Sequence, residues 1–170
     1  MYSNRPDLTW DGHSIPLAGN SVESVVCTEV LEHCPHPQQV LAETFRVLKP
    51  AGVLFLTVPF LWPLHDIPFD EYRYTPFALT RHMEAVGYTV MQMKALGGWD
   101  ASLAQMIGLW VRRRPMPERA RRILQRLLWP VHRWLIRRDR PPRSFTQSAM
   151  ITGLAAVSRK PPCLPVPVLP

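Results

Sequence analysis

Two apolar runs, Val22–Thr28 and Val53–Val58, stand on either side of one helical stripe, and that order most narrows what the chain can fold into. The first run is short, carries β-branched residues and follows the turn cluster Ala18-Gly19-Asn20-Ser21, so it reads as a buried strand. Between the runs, Pro37 suits the first turn of a helix. Val40, Leu41, Thr44, Phe45 and Leu48 share one stripe of it, and Lys49-Pro50-Ala51-Gly52 ends it. The second run stops at Pro59. Strand, helix and strand with short connections make a βαβ unit, and runs this apolar suit a parallel sheet covered on both faces. The expected class is α/β.

Further along, Thr75-Pro76 reads as an N-cap and first turn, Leu79, Met83 and Val86 form a stripe, and Gly87 sits where a C-cap glycine belongs. Thr89–Ala95 reads as a third strand. Asp100 is the expected cap of a helix running through Val111. Pro117 opens a longer helix that Pro130 is expected to kink or split. Ala149–Ser158 is the expected last strand. Prolines crowd the end from Pro161 to Pro170, which reads as an extended, disordered tail.

The net charge of +7 is unevenly spread. From Arg112 to Arg143 twelve arginines face only Glu118 and Asp139, while the rest of the chain holds eight basic and eleven acidic residues. A mildly acidic body thus carries one basic appendage, suited to an anionic surface or partner. Cys27, Cys34 and Cys163 lack metal-type spacing and are odd in number, which argues against a disulfide framework; Cys27 reads as a buried thiol. No apolar core follows the first residues as in a signal peptide, and Leu103–Val111, broken by Gln105, is too short to span a bilayer. A reducing cytoplasm is the default location, with a membrane-peripheral position as the alternative.

Four segments taken in order carry a family resemblance: Asp11-Gly12-His13-Ser14-Ile15-Pro16, Ser21-Val22-Glu23, Glu29-Val30-Leu31-Glu32-His33 and Arg46-Val47-Leu48-Lys49-Pro50-Ala51-Gly52. The set resembles the type 11 group of class I S-adenosylmethionine-dependent methyltransferases from about Tyr2 to Gly98, and again at Ala149–Lys160. The segment His65-Asp66-Ile67-Pro68-Phe69-Asp70 with Arg73-Tyr74-Thr75 is similar to a bacterial branch of that group. Departures are Val22 for the usual phenylalanine, Glu23 for aspartate and Ala51 for the first of two glycines. The family's first strand, its glycine-rich turn and the acidic end of its second strand have no counterpart after Tyr2. The resemblance therefore implies an incomplete Rossmann-like sheet, and either a start internal to a longer reading frame or a remnant. In such a sheet the ligand lies at the C-terminal strand ends, at the switch point.

The resemblance implies S-adenosyl-L-methionine as cofactor, with Asp11 accepting from the adenine amino group and Glu29, just past a strand, facing the methyl donor and acceptor. The alternative for Asp11 is a turn aspartate capping its own backbone. His65 is the candidate general base and Arg73 the candidate anion binder on the acceptor-side loop; the alternative is Arg73 stapling that loop through Asp66 or Asp70. Phe60, Trp62 and Phe69 are expected to pack the loop. Glu29, Glu32 and His33, with His65, also resemble a divalent-metal run of small-RNA terminal methyltransferases and some ubiquinone-pathway O-methyltransferases. The same run occurs without metal in the type 11 group, so the primary expectation is no metal.

The division expected is a methyltransferase core over 1–98, a helical basic insertion or lid over 99–148, a last core strand over 149–160 and the tail over 161–170. In 117–138, Ala120, Ile123, Leu124, Leu127, Leu128, Val131, Trp134 and Leu135 recur at helical spacing with Arg119, Arg122, Arg126 and Arg133 largely off the stripe. That is an amphipathic basic helix: a lid with its apolar face packed and its arginines in water, or a peripheral membrane contact. Nucleic acid is disfavoured, since no recognition fold accompanies the charge. The implied activity is methyl transfer to an O or N atom of a small-molecule or envelope-related acceptor. The competing reading is a non-catalytic binding module.

Overall fold

The computed structural model describes residues 6–146 and 148–162, so most of the proline-rich tail, Cys163 included, lies outside the described residues. The elements are β1 (Val22–Thr28), α1 (Pro37–Val47), β2 (Leu48–Pro59), α2 (Pro76–Val86), β3 (Thr89–Leu96), α3 (Trp99–Arg113), α4 (Glu118–Arg138) and β4 (Gly153–Arg159), with a single 3-10 turn at Leu31–His33. The four strands form one sheet in the order β1-β2-β4-β3, and β1 runs parallel to β2. β4 runs the other way. Its end meets the start of β2 through Lys160 N–H to Gly52 O, and its start meets the end of β3 through Thr152 N–H to Leu96 O. The fold is α/β with a mixed sheet, so the expected βαβ core is present.

The chain divides into two compact units. In the first, 6–58, 64–93 and 156–162, Leu31, Leu41, Leu48, Leu54, Leu56, Leu79 and Met83 are fully buried. Cys27 is buried too, and burial pushes its thiol up to about 11. The second unit, 59–63 and 94–155, holds α3 and α4 packed against each other.

Three local expectations give way to longer-range contacts. β2 begins at Leu48 rather than Val53, because Val22 pairs with Leu48 and Ser24 with Val53, and the strand bulges over Lys49–Gly52 between them. Gly52 is required there, since a Cβ would stand 2.8 Å from Lys49 O and 3.0 Å from Glu23 O. Asp100 does not cap α3. The Asp139 carboxylate does, accepting from Gly98 N–H at 2.9–3.0 Å and from Ala101 N–H at 2.9 Å. α4 runs undivided through Pro130.

The expectations for α2 match the structure: Thr75 Oγ1 accepts from Ala78 N–H at 3.2 Å, and Gly87 closes the helix at φ 108°.

Candidate functional site

The C-terminal ends of β1 and β2 carry the chemistry-bearing side chains of the first unit. Glu29 leaves β1 at φ 52°, a left-handed conformation costly for a side-chain-bearing residue. Two contacts from β2 hold it: its N–H donates to Thr57 O at 3.0 Å, and its Oε1 accepts from Thr57 Oγ1 at 2.8 Å. The turn Leu31–His33 follows directly.

The loop after β2 is tied onto that turn by backbone bonds. Glu71 and Tyr72 both donate their N–H to Glu32 O, at 2.9 and 3.0 Å, and Tyr74 donates its hydroxyl to Leu31 O at 3.2 Å. A loop with few strand-like bonds of its own thereby gains a fixed position, which catalysis on loops requires.

These ties bring Glu32, His33 and His65 together. The His33 and His65 rings meet edge to face with centroids 4.7 Å apart. His33 Nε2 lies 3.7 Å from Glu32 Oε1 and 3.9 Å from Asp66 Oδ2, and its Nδ1 lies 2.9 Å from the Phe69 carbonyl. Glu32 is fully buried, and neither of its carboxylate oxygens has a hydrogen-bond partner among the described residues. That desolvation, with Glu29 adding like charge, pushes its carboxyl above the usual range.

Asp70 anchors the other half of the loop. Its carboxylate accepts from Arg73 Nη1 at 2.7 Å and Nη2 at 2.9 Å and from His65 N–H at 3.2 Å; its Oδ2 stands 3.4 Å from His65 Nδ1. The guanidinium holds the Asp70 carboxyl far below the ordinary range, with the His65 N–H assisting. Arg73 thus staples the loop through Asp70, while Asp66 turns toward His33 instead. Two expected packing residues are open to solvent: Phe69 is 63% exposed and Trp62 42%.

Asp11 lies on an exposed turn, its Oδ1 accepting from His13 N–H at 2.8 Å and Ser14 N–H at 3.1 Å. Those donors hold the carboxyl below its usual value, so it is ionised and acceptor-only at neutral pH. The turn is braced on α1. Glu43 accepts from Ile15 N–H at 2.8 Å and from Arg46, which donates to Ile15 O and Leu17 O at 2.9 Å. Sequence reasoning missed this brace. The one available signal was the Glu43-x-x-Arg46 spacing, which is common on any helix.

In the second unit, Gln105, Gly108 and Leu109 of α3 and Leu128, Trp129 and His132 of α4 line an open, largely apolar groove of about 770 Å³. α4 divides its predicted apolar stripe. Leu135 is buried and Leu124 and Leu128 are half-buried, but Ile123, Leu127, Val131 and Trp134 are exposed. No helix among the described residues is long and apolar enough to cross a membrane.

Residues 3–56 match the family profile described as a methyltransferase domain. An uncharacterised methyltransferase of Mycobacterium bovis is 32% identical over 92 residues, covering 51% of this chain and 36% of that one. A probable S-adenosylmethionine-dependent methyltransferase of Mycolicibacterium smegmatis is 33% identical over 82 residues, covering 45% and 32%. The chain thus spans about a third of the length of the curated relatives it matches.

Among solved structures, a putative sarcosine dimethylglycine methyltransferase from Galdieria sulphuraria superposes with a TM-score of 0.54 at 17% identity, covering 89% of this chain and 58% of that one. A methyltransferase from Thermotoga maritima gives 0.55 at 11% identity, covering 90% and 63%. At such identities the likeness is one of fold, and it is the Rossmann-like fold of methyltransferases. The matched segment runs through the Asp11 turn, β1, the Glu32 turn and α1 into β2, and through it the chain is similar to the type 11 group of S-adenosylmethionine-dependent methyltransferases.

Proposed function

We propose that this chain forms the adenine side and the acceptor side of a methyltransferase acting on an O or N atom of a small or envelope-related acceptor. The observation that carries the reading is the tethered loop. It sets His65, Asp70 and Arg73 beside the Glu29–His33 turn, at the strand ends where Rossmann-like sheets bind ligands.

The residues present fit part of the cofactor. An ionised, pre-set Asp11 carboxylate suits an exocyclic amine donor, and a fixed Glu29 at the strand end suits the donor–acceptor junction. S-adenosylmethionine, when bound, supplies an electrophilic methyl carbon on a sulfonium. The chain's own residues then have two tasks, alignment and proton removal. His65 is the base for the acceptor proton. Asp70, 3.4 Å from its Nδ1, orients the imidazole and stabilises it once protonated. Arg73, engaged by Asp70, positions that pair.

The test is methyl transfer from labelled S-adenosylmethionine to fractionated cell-envelope and small-molecule extracts, using the product of the natural reading frame with any coding sequence preceding Met1. His65→Gln should lower kcat with little change in the KM for S-adenosylmethionine. Absence of label above background in every fraction, with the cofactor bound, would favour the non-catalytic binding module.

A second reading concerns α3 and α4 as a contact for anionic membrane. It is supported by the exposed half of the α4 stripe and by Trp99, Leu103, Met106 and Trp110 exposed at helical spacing on α3. Arginines border these residues, Arg114 lying over the Trp110 ring and Arg138 over Trp134.

A further inference from the structure

We infer that the groove between α3 and α4 is a binding site for a single-chain lipid anion, a long acyl chain ending in a carboxylate. The groove belongs to the second unit alone. Asp139, just past α4, caps the start of α3, so the two helices run antiparallel, and Gly108 faces His132. Gln105, Gly108 and Arg112 recur at helical spacing along one wall, and Arg122, Trp129 and His132 along the other. From Arg122 to His132 the α4 wall is about 15 Å long, enough for an extended chain. The volume of about 770 Å³ lies in the range of small-molecule sites.

The two ends of the groove differ in chemistry. Arg112, Arg122 and Arg126 line the part nearest the connection between the helices, and no Asp or Glu among the described residues lines any of it. Of these three, Glu118 engages only Arg122, at 3.7 Å; among the described residues no carboxylate pairs with Arg112 or Arg126. Beyond them, toward the start of α3, lie Ile107 and Gly108, with Trp129 about one turn past Arg126. Gln105 donates its amide to the Leu61 carbonyl, and the His132 ring lies parallel to that of Trp129. A cationic end joined to an apolar trough selects an amphiphile, whose chain leaves water while its head meets the guanidinium forks. A small inorganic anion would use only the arginines, and a neutral hydrocarbon only the trough.

Gly108 is the independent sign that the space is wanted. Glycine inside a helix is costly, and packing does not demand it here, since a Cβ would meet only the His132 ring, at 3.8–3.9 Å. What the glycine provides is room in the groove. The exposed apolar rows of the two helices lie on other faces: neither Met106 and Trp110 nor Leu127 and Val131 line the groove. The site therefore stands apart from the membrane contact and from the proposed acceptor side.

The experiment is calorimetric titration of the purified chain with palmitate below its micelle-forming concentration. Saturable uptake of one equivalent is expected. Along a series of shorter acids, affinity should rise by up to about fourfold per added methylene and level off once the groove is full. Hexadecanol, which lacks the charge, and acetate, which lacks the chain, should each bind roughly tenfold more weakly or worse. Arg112→Gln combined with Arg126→Gln should weaken palmitate binding by roughly tenfold or more, the loss expected for charge-assisted hydrogen bonds. Gly108→Leu should block uptake by filling the groove. Thermal unfolding supplies the control: the exposed arginine pair should leave the midpoint unchanged, and Gly108→Leu should unfold no earlier than the parent. If Gly108→Leu does unfold earlier, the arginine pair decides alone. Leu127→Gln, which is off the lining, should leave palmitate uptake unaltered. No saturable uptake by the parent, uptake indifferent to the arginine pair, uptake lost with Leu127→Gln, or equal competition by inorganic phosphate would each overturn the site.

Discussion

Ala51 has a φ of 66°, in the region where a Cβ clashes and glycine does not, and it stands where the family has the first of two glycines. The bulge in β2 imposes the conformation, and the Ala51 N–H is held by Lys160 O at 3.0 Å. Ala51→Gly should therefore stabilise the chain by about 0.5–1 kcal/mol, the left-handed penalty of alanine less the greater unfolded-state freedom of glycine. Urea unfolding measures it, and an unchanged or lower midpoint would show that the bulge relaxes around alanine at no cost. Glu43 is the other telling residue. Its bond to Arg46 leads the causes that hold its carboxyl below 4.5, with Ile15 N–H assisting. A depressed acid contributes stability above its unfolded value and loses it as pH falls through its folded value. Glu43→Gln should thus be less stable than the parent at pH 7, with a gap that narrows progressively below pH 4.5. A gap that persists unchanged in acid would assign the loss to packing instead of charge.

Elements were legible in the sequence where their signals are local, and obscure where a distant residue decides. α1 and α2 were readable because Pro37, Thr75 and Gly87 act within one turn of themselves, and β1 because its apolar run is bounded by a turn cluster. The start of β2 was not, because Leu48 joins the strand only through its pairing with Val22. The end of α1 was readable from Lys49-Pro50, but not the contact that holds it, in which Lys160 Nζ, far along the chain, donates to Phe45 O and Leu48 O at 2.8 Å each. The site follows the same rule. Its residues could be named from the motif, but Glu32, His33 and His65 are brought together by bonds between the loop and the turn, among them those of Glu71 and Tyr72 N–H to the Glu32 carbonyl and of Tyr74 to the Leu31 carbonyl. The cap of α3 tests this directly. Asp139→Ala should cost about 1–2 kcal/mol by stripping the first turn of its acceptor, whereas Asp100→Ala should cost a few tenths. Equal losses in thermal unfolding would mean that the nearby aspartate, not the distant one, carries the cap.

At the scale of the whole molecule, the basic charge overlaps an exposed apolar row on α4. The twelve arginines lie between Arg112 and Arg143, the stretch that contains α4, while the remainder is mildly acidic. The sequence left two readings of α4 open, a lid with its stripe packed or a membrane contact. In the structure only half of that stripe is covered; Ile123, Leu127, Val131 and Trp134 are 57%, 66%, 44% and 52% exposed. An exposed apolar row bordered by arginines and tryptophans costs free energy in water and recovers it at an anionic interface, where each arginine near the surface contributes about 1 kcal/mol. The chain should therefore co-sediment with vesicles of mixed zwitterionic and anionic lipid, with Trp fluorescence shifted to the blue. Binding should weaken as salt shortens the screening length from about 10 Å toward 3 Å. Changing Arg119, Arg122 and Arg126 together to Gln should cost roughly 3 kcal/mol, about a hundredfold in partitioning. Leu127→Gln should weaken binding too, but without altering its salt dependence, which separates burial of the apolar row from attraction by charge. Sedimentation that is equal on purely zwitterionic vesicles would reduce the arginines to a solvated face, and no sedimentation at all would return α4 to the lid.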